Sequence, residues 1–168
     1  MNASDVLKTQ GPAEALQALQ NEVRARPADF KLRVFLAQLL CVLGQWERAL
    51  NQLSVAAGLD ALAVPMQQVY GDAIRCEGLR HAVFAGERTP MVFGEPDAWL
   101  ACLLESMLRA GRGEDAAAES LRQQAFDDAP ASAGTLDGAP FAWLADADMR
   151  LGPVLEAFVN GRYYWVPF

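Results

Sequence analysis

Phe30-Lys-Leu-Arg-Val-Phe-Leu-Ala-Gln-Leu-Leu-Cys-Val-Leu-Gly-Gln-Trp-Glu-Arg-Ala-Leu-Asn-Gln-Leu-Ser-Val-Ala-Ala-Gly-Leu59 is the stretch on which the fold turns. Leu32, Phe35, Leu36, Leu39, Leu40 and Leu43 recur at the three- and four-residue spacing of a single helical face. Gly44 follows, and glycine takes the left-handed backbone that ends a helix without a Cβ penalty. Trp46, Ala49, Leu50 and Leu53 then open a second apolar stripe, in which the small Ala49 lets two helices approach closely. The stretch predicts helix, tight turn, helix.

The pattern recurs along the chain. Ala15, Leu19 and Pro27 return 34 residues later as Ala49, Leu53 and Ala61, and a period of that size belongs to stacked helical hairpins. The stretch resembles a tetratricopeptide repeat. With Gly44 at the inter-helix turn, Leu36-Ala37 take the paired large and small positions, Leu40 the next large one, Ala49 the small one and Leu53 the aromatic one. Two positions depart from that consensus: Ala61 stands at the terminal proline and Arg33 at the first-helix tryptophan. Upstream, Pro12 to Arg26 reads as the second helix of a preceding repeat closed by Pro27, after a short first helix from Ser4 to Thr9 with Ser4 as its N-cap. Downstream, Pro65 to Glu77 reads as another first helix, with Tyr70-Gly71 as the large-small pair, Gly78 as the turn and Leu79 to Ala85 as the partner helix. After a Gly- and Pro-bearing loop from Gly86 to Pro96, Asp97 to Ala110 and Glu114 to Phe126 form a further hairpin about Gly111 and Gly113, with Ala117, Leu121 and Ala125 inward.

Beyond Asp127 the character changes. Residues 128–140 read as a linker and 141–147 as a short helical turn. Val154 to Val159 and Arg162 to Val166 are β-prone runs joined by Asn160-Gly161, the signature of a type I′ hairpin. Val154, Ala157 or Phe158, Tyr163 and Trp165 are expected to share its faces. The expected fold class is mainly α: tetratricopeptide-like helical hairpins over 1–127, then a linker and C-terminal β-hairpin element over 128–168. Val166-Pro167-Phe168 fall within what reads as a strand, the expectation for a piece of a longer protein.

Composition narrows the function. Hydrophobic residues are 52% of the 168 and charged residues 21%, enough for a packed core and against global disorder. The apolar runs, such as Leu39 to Leu43, are far too short to span a bilayer, and the N-terminus lacks a basic start and apolar stretch. From Met1 to Gly86 eight Lys/Arg match eight Asp/Glu, whereas from Glu87 onward six Arg face thirteen Asp/Glu. That half repels phosphate backbones, which argues against nucleic acid, and is either a solvated face or one that steers a basic partner. Cys41, Cys76 and Cys102 are odd in number, widely spaced and set among apolar helical positions; they read as small buried hydrophobes in a reducing, cytoplasmic compartment. With one histidine, His81, no phosphate-binding loop and no Cys/His cluster, neither a metal nor a cofactor is expected. Asp146 and Asp148 read as loop acids rather than cation ligands. Trp46, Trp99 and Trp143 sit at expected helix starts and read as core.

Stacked helical hairpins line a concave face with their first helices. In this register the face holds Val34, Gln38 and Cys41, then Gln68, Asp72 and Arg75, then Ala101, Glu105 and Leu108. Its mixed character suits an amphipathic helix laid in a groove; a solvated surface, or one covered by the hairpin, has the same composition.

The C-terminal segment carries Arg150-Leu-Gly-Pro-Val-Leu-Glu156 and Asn160-Gly-Arg-Tyr-Tyr-Trp-Val-Pro-Phe168. This string resembles the ImpE/TagJ (SciE-like) family of type VI secretion accessory proteins. The helical arrangement with Arg26-Pro27 and Leu39 to Gln45 is also similar to that family. The resemblance implies a non-enzymatic adaptor in the bacterial cytoplasm. Its implied partners are the N-terminal helix of the small contractile-sheath subunit and the ClpV-type AAA+ ATPase that disassembles the sheath. It also implies further chain after the Trp-Val-Pro-Phe string. The rival reading is a structural or assembly subunit that self-associates through the edge of the C-terminal hairpin.

Overall fold

The computed structural model describes residues 2–168, which divide into two compact units, residues 2–74 and 75–168. The described residues are mainly helical and end in a β-hairpin.

The first unit is built from α1 (Ala3–Thr9), α2 (Pro12–Ala25), α3 (Phe30–Val42), α4 (Trp46–Leu59) and the start of α5 (Val64–Phe84). The helix starts follow local capping chemistry. Asn2, not Ser4, caps α1, its side-chain oxygen accepting from the Asp5 amide at 2.8 Å. Pro12 opens α2, where a missing N–H costs nothing. Asp29 caps α3 by accepting from the Lys31 and Leu32 amides at 3.1 and 3.3 Å. Gly44 takes φ +69° between α3 and α4, as its place in the sequence predicts. Ala15, Ala37 and Ala49 are fully buried where these helices meet, and Leu19, Leu40 and Leu53 fill the space between them. Each such leucine contributes about 2 to 3 kcal/mol by leaving water.

One expected hairpin is absent. Val64 to Phe84 is a single helix of 21 residues, and Gly78 lies inside it rather than at a turn. Glycine lowers helix propensity but does not break a helix whose neighbours are good helix formers, so flanking Arg75, Glu77, Leu79 and Arg80 carry the backbone through. A short 3-10 turn, Ala61–Ala63, precedes α5; Asp60 caps it by accepting from the Leu62 amide at 2.8 Å.

The second unit comprises α5 from Arg75, α6 (Ala98–Gly111), α7 (Asp115–Asp128), β1 (Gly134–Leu136), β2 (Ala139–Phe141), β3 (Val154–Val159) and β4 (Arg162–Pro167). Backbones touch where Gly86 meets Gly111: a Cβ on Gly111 would lie 2.1 Å from the Ala85 carbonyl oxygen and 2.5 Å from the Gly86 Cα. Along α7 Ala125 is buried as expected, but its other inward small residue is Ala118; Ala117 faces solvent, one residue off the expected stripe. Residues 128–140 are not only a linker. Asp137-Gly138, with φ of 51° and 82°, closes a short antiparallel hairpin of β1 on β2. Phe141 accordingly ends a strand, no helical turn forms over 141–147, and Trp143 is 68% exposed instead of buried at a helix start. Trp99 is in the core and Trp46 is half-buried against the core of the first unit.

The Asn160-Gly161 hairpin forms as read, with Asn160 at φ 49° and Gly161 at φ 70°. Its register pairs Glu156 with Trp165 and Phe158 with Tyr163, so Val154, Phe158, Tyr163 and Trp165 share one face and Ala157 takes the other. Met91, from the loop after α5, lies alongside β4: its amide donates to the Tyr163 carbonyl and its carbonyl accepts from the Trp165 amide, at 3.0 and 2.9 Å. Trp165, Tyr163, Val154 and Leu151 are fully buried with Cys76, Val83 and Leu103.

Candidate functional site

The C-terminal motif assembles a polar network under that hairpin. Arg80 of α5 forks onto Glu156, its Nε and Nη2 donating to the two carboxylate oxygens at 2.7 and 2.9 Å. The Tyr163 hydroxyl donates to the same carboxylate and accepts from the Trp165 indole N–H at 2.7 Å. Burial, and then the bond to Glu156, push the Tyr163 phenol well above the usual tyrosine range, so it stays a donor. Two guanidiniums stand over the Phe84 ring, Arg80 at 4.7 Å and Arg150 at 4.2 Å from its centre. Arg150 also clamps Asp148 at 2.6 Å, and that contact, with the Arg150 amide, holds the Asp148 carboxyl down at about 2. Asp146 accepts from the Asp148 amide at 2.7 Å. The Asp146, Asp148 and Arg150 bonds shape the turn before β3, and the Arg80 bonds fix the hairpin to α5. Arg150, Glu156, Tyr163 and Trp165 therefore serve packing, and the two aspartates are occupied by an amide and an arginine.

No three His, Cys, Asp or Glu side chains converge in a metal-binding group among the described residues. Among the described residues none of the three cysteines is joined in a disulfide: Cys76 is buried, Cys41 and Cys102 are half-buried, and burial pushes the Cys41 thiol up, away from thiolate character.

An apolar groove lies in the first unit. Phe30, Val34 and Gln38 of α3 face Leu62 and Met66 across a groove of about 240 Å³. Leu62, the cap-turn residue, is 76% exposed, and Val69 of α5 and Val42 of α3 are exposed as well. Gln38 donates to the Tyr70 hydroxyl at 3.2 Å, linking α3 to α5. Val34, Gln38 and Cys41 repeat at helical spacing along α3, and Leu62, Met66 and Val69 do so from the 3-10 turn into α5. The lining is apolar apart from the Lys31 amine and the Gln38 amide, a mixture that fits an amphipathic helix.

Of the residues read from sequence, Val34 and Gln38 line this groove and Cys41 lies one turn along on the same helix. Gln68 is exposed and Asp72 half-buried on α5, still within the first unit. Arg75 and Glu105 belong to the second unit; Arg75 is exposed, and Glu105 accepts from Arg109 at 2.7 Å, an arginine that also reaches Glu114. Sequence reasoning missed Leu62 and Met66. The signal was present in Asp60, a good cap placed directly before an apolar run.

Comparison with known proteins bears on the whole chain. The family model described as ImpE protein matches residues 138–168, the segment that brings Asp148, Arg150, Glu156, Tyr163 and Trp165 to the network. Over 167 residues the chain is 54% identical to the type VI secretion system accessory component TagJ of Pseudomonas aeruginosa, an alignment that covers 99% of this chain and 59% of that protein. An X-ray crystal structure of a Vibrio parahaemolyticus protein matches with a TM-score of 0.86 at 25% identity, covering 98% of this chain and 62% of that one. The chain thus spans about three-fifths of the length of these two relatives. The two sequence comparisons print the names, ImpE and TagJ, of the family that the Arg150 to Phe168 string resembles, and over nearly its whole length the chain is similar to the TagJ protein.

Proposed function

We propose that this chain is a non-enzymatic, protein-binding accessory component of a bacterial type VI secretion system, acting in the cytoplasm. The observation that carries the reading is the 54% identity, over nearly the whole chain, to a relative named for that role. The mechanism is helix capture: the N-terminal helix of the sheath small subunit lies in the α3–α5 groove, its apolar face on Val34, Leu62 and Met66 and its polar edge at Gln38. A ClpV-type ATPase is the second partner, and bringing the two together modulates sheath disassembly. No helix among the described residues is long and apolar enough to cross a membrane.

Titration of a labelled peptide spanning the sheath subunit's first helix, with the ATPase N-terminal domain as a second bait, tests this. Binding to the peptide that Leu62→Asp or Gln38→Glu weakens at least tenfold, with unchanged circular dichroism, is the expected result. Normal binding by both variants moves the site off this groove. The competing assembly reading draws on β3, which pairs with β4 on one side only and exposes Leu155, Phe158 and Val159. Size-exclusion runs at two concentrations separate it from the first: a monomer at both removes it.

A further inference from the structure

The second unit carries a trough that neither the polar network nor the α3–α5 groove uses. It encloses about 330 Å³ between the end of α7 and the loop before β3, with walls of Phe126, Trp143, Leu144, Met149 and Pro153. Three of these are large apolar groups facing water: Met149 is 74% exposed, Trp143 68% and Leu144 43%. Such a concentration of exposed apolar surface around one depression marks a contact surface rather than scattered exposure. The floor is set by backbone. Gly152, at φ +54°, sits under the Phe126 ring so closely that a Cβ there would fall 2.4 Å from a ring carbon.

The one charged residue in the lining is an acid, Asp146. Asp127 and Asp128 close α7 immediately before the lining residue Ala129. The carboxyl-terminal pole of α7 adds its own negative potential at that point. Asp127 takes only an amide, from Gln123 at 3.0 Å, and Asp146 takes the Asp148 amide. Arg150, the nearest cation in sequence, is bound to Asp148 and stacked over Phe84. An apolar cleft beside carboxylates with no cationic partner complements a segment that is itself apolar and basic.

We infer that this trough is a second docking site, whose occupant is a short protein segment carrying a large apolar side chain flanked by Lys or Arg. The apolar group fills the space between Trp143, Met149 and Phe126, and the cations lie toward Asp127, Asp128 and Asp146. This surface lies on other residues than the α3–α5 groove and stands or falls separately from it.

The test uses the full chain and a labelled 12-residue peptide with two leucines flanked by lysines. One peptide twin carries glutamates for the lysines and another serines for the leucines. Binding of the Leu/Lys peptide alone is expected, with a blue shift in the emission that Trp143→Phe removes. Trp143→Ala is expected to weaken binding at least tenfold, and the Asp127→Asn/Asp128→Asn pair three- to tenfold, the latter loss vanishing at high salt. Met149→Ser, at an exposed position, repeats the measurement if Trp143→Ala alters the circular dichroism. Equal binding of the glutamate twin, or unchanged affinity in both Trp143→Ala and Met149→Ser, overturns the inference. So does a loss of binding in Leu62→Asp with Trp143→Ala unaffected. Concentration-dependent dimers that Trp143→Ala abolishes would assign the trough to a second copy and overturn it too.

Discussion

Single residues carry sharp consequences in this chain. Glu156 serves three groups at once, since Arg80 and Tyr163 donate to it and Trp165 is tied in through the Tyr163 hydroxyl. Glu156→Ala leaves a guanidinium and a buried phenol without their acceptor, and is expected to cost about 3 kcal/mol in urea unfolding. Tyr163→Phe removes one donor and leaves the indole N–H unpaired, for about 1 to 2 kcal/mol. Because folding raises the Tyr163 pKa, the neutral phenol's contribution is fully present below about pH 10 and fades only above it. The 295 nm absorbance titrations of the parent and Tyr163→Phe are therefore expected to coincide until the chain unfolds. Asp148 has the opposite sign. Its folded pKa of about 2 lies below the unfolded value, so its stabilisation is present above about pH 4 and is lost as pH falls toward 2. Solvent around the half-exposed Arg150 limits it to about 1 kcal/mol. Asp148→Asn is expected to flatten the parent's loss of stability between pH 4 and 2. Gly111 is the least replaceable backbone position: an Ala methyl meets the Ala85 carbonyl, and Gly111→Ala is expected to cost at least about 2 kcal/mol.

Among the elements, α5 separates pattern from physics. The sequence places Tyr70-Gly71 and Gly78 where a helical-hairpin repeat has its small residue and its turn, and that register predicts two helices. The structure runs one helix through both glycines, and a Cβ on Gly78 would meet nothing within 4 Å. The two arrangements predict opposite outcomes for one substitution. In a continuous helix, Gly78→Ala stabilises by about 0.5 to 1 kcal/mol, because alanine is the better helix former and has room. At a left-handed turn the same change destabilises by about as much or more. A higher urea midpoint in Gly78→Ala is expected; a lower one would break α5 into a hairpin. Gly44 and Asn160-Gly161 were legible because apolar runs of the right period flank each turn. Asp137-Gly138 carries equally good turn chemistry, yet its strands are three residues long and include Pro140, too short for alternation to register. The candidate groove was half legible for a similar reason. Val34 and Gln38 follow from the α3 stripe, whereas Leu62 and Met66 depend on a cap turn that the repeat register had assigned to the end of a helix.

For the molecule as a whole, each unit owns a core made from different sequence materials. The first is alanine and leucine at helix crossings, with Leu40 and Leu53 at its centre; the second adds aromatic and polar groups from the hairpin, with Trp165 and Tyr163 fully buried. A helical core of short sequence separations forms quickly and loses protection locally, whereas burying Trp165 requires β4 to return to α5 across more than half of the second unit. Cavities placed in the two cores should therefore report separately. Leu40→Ala is expected to cost about 2 to 5 kcal/mol and to lower amide protection most across α2, α3 and α4. Trp165→Phe keeps an aromatic ring but removes the N–H that donates to Tyr163, so its loss of protection should centre on β3, β4 and the Met91 contact. Hydrogen exchange followed by mass spectrometry on both variants reads the pattern directly. A uniform loss over 2–168 in either variant would mean that the two cores open as one cooperative body. A loss confined to the mutated unit would mean that a partner seated in the α3–α5 groove and one seated in the trough each stabilise their own half of the chain.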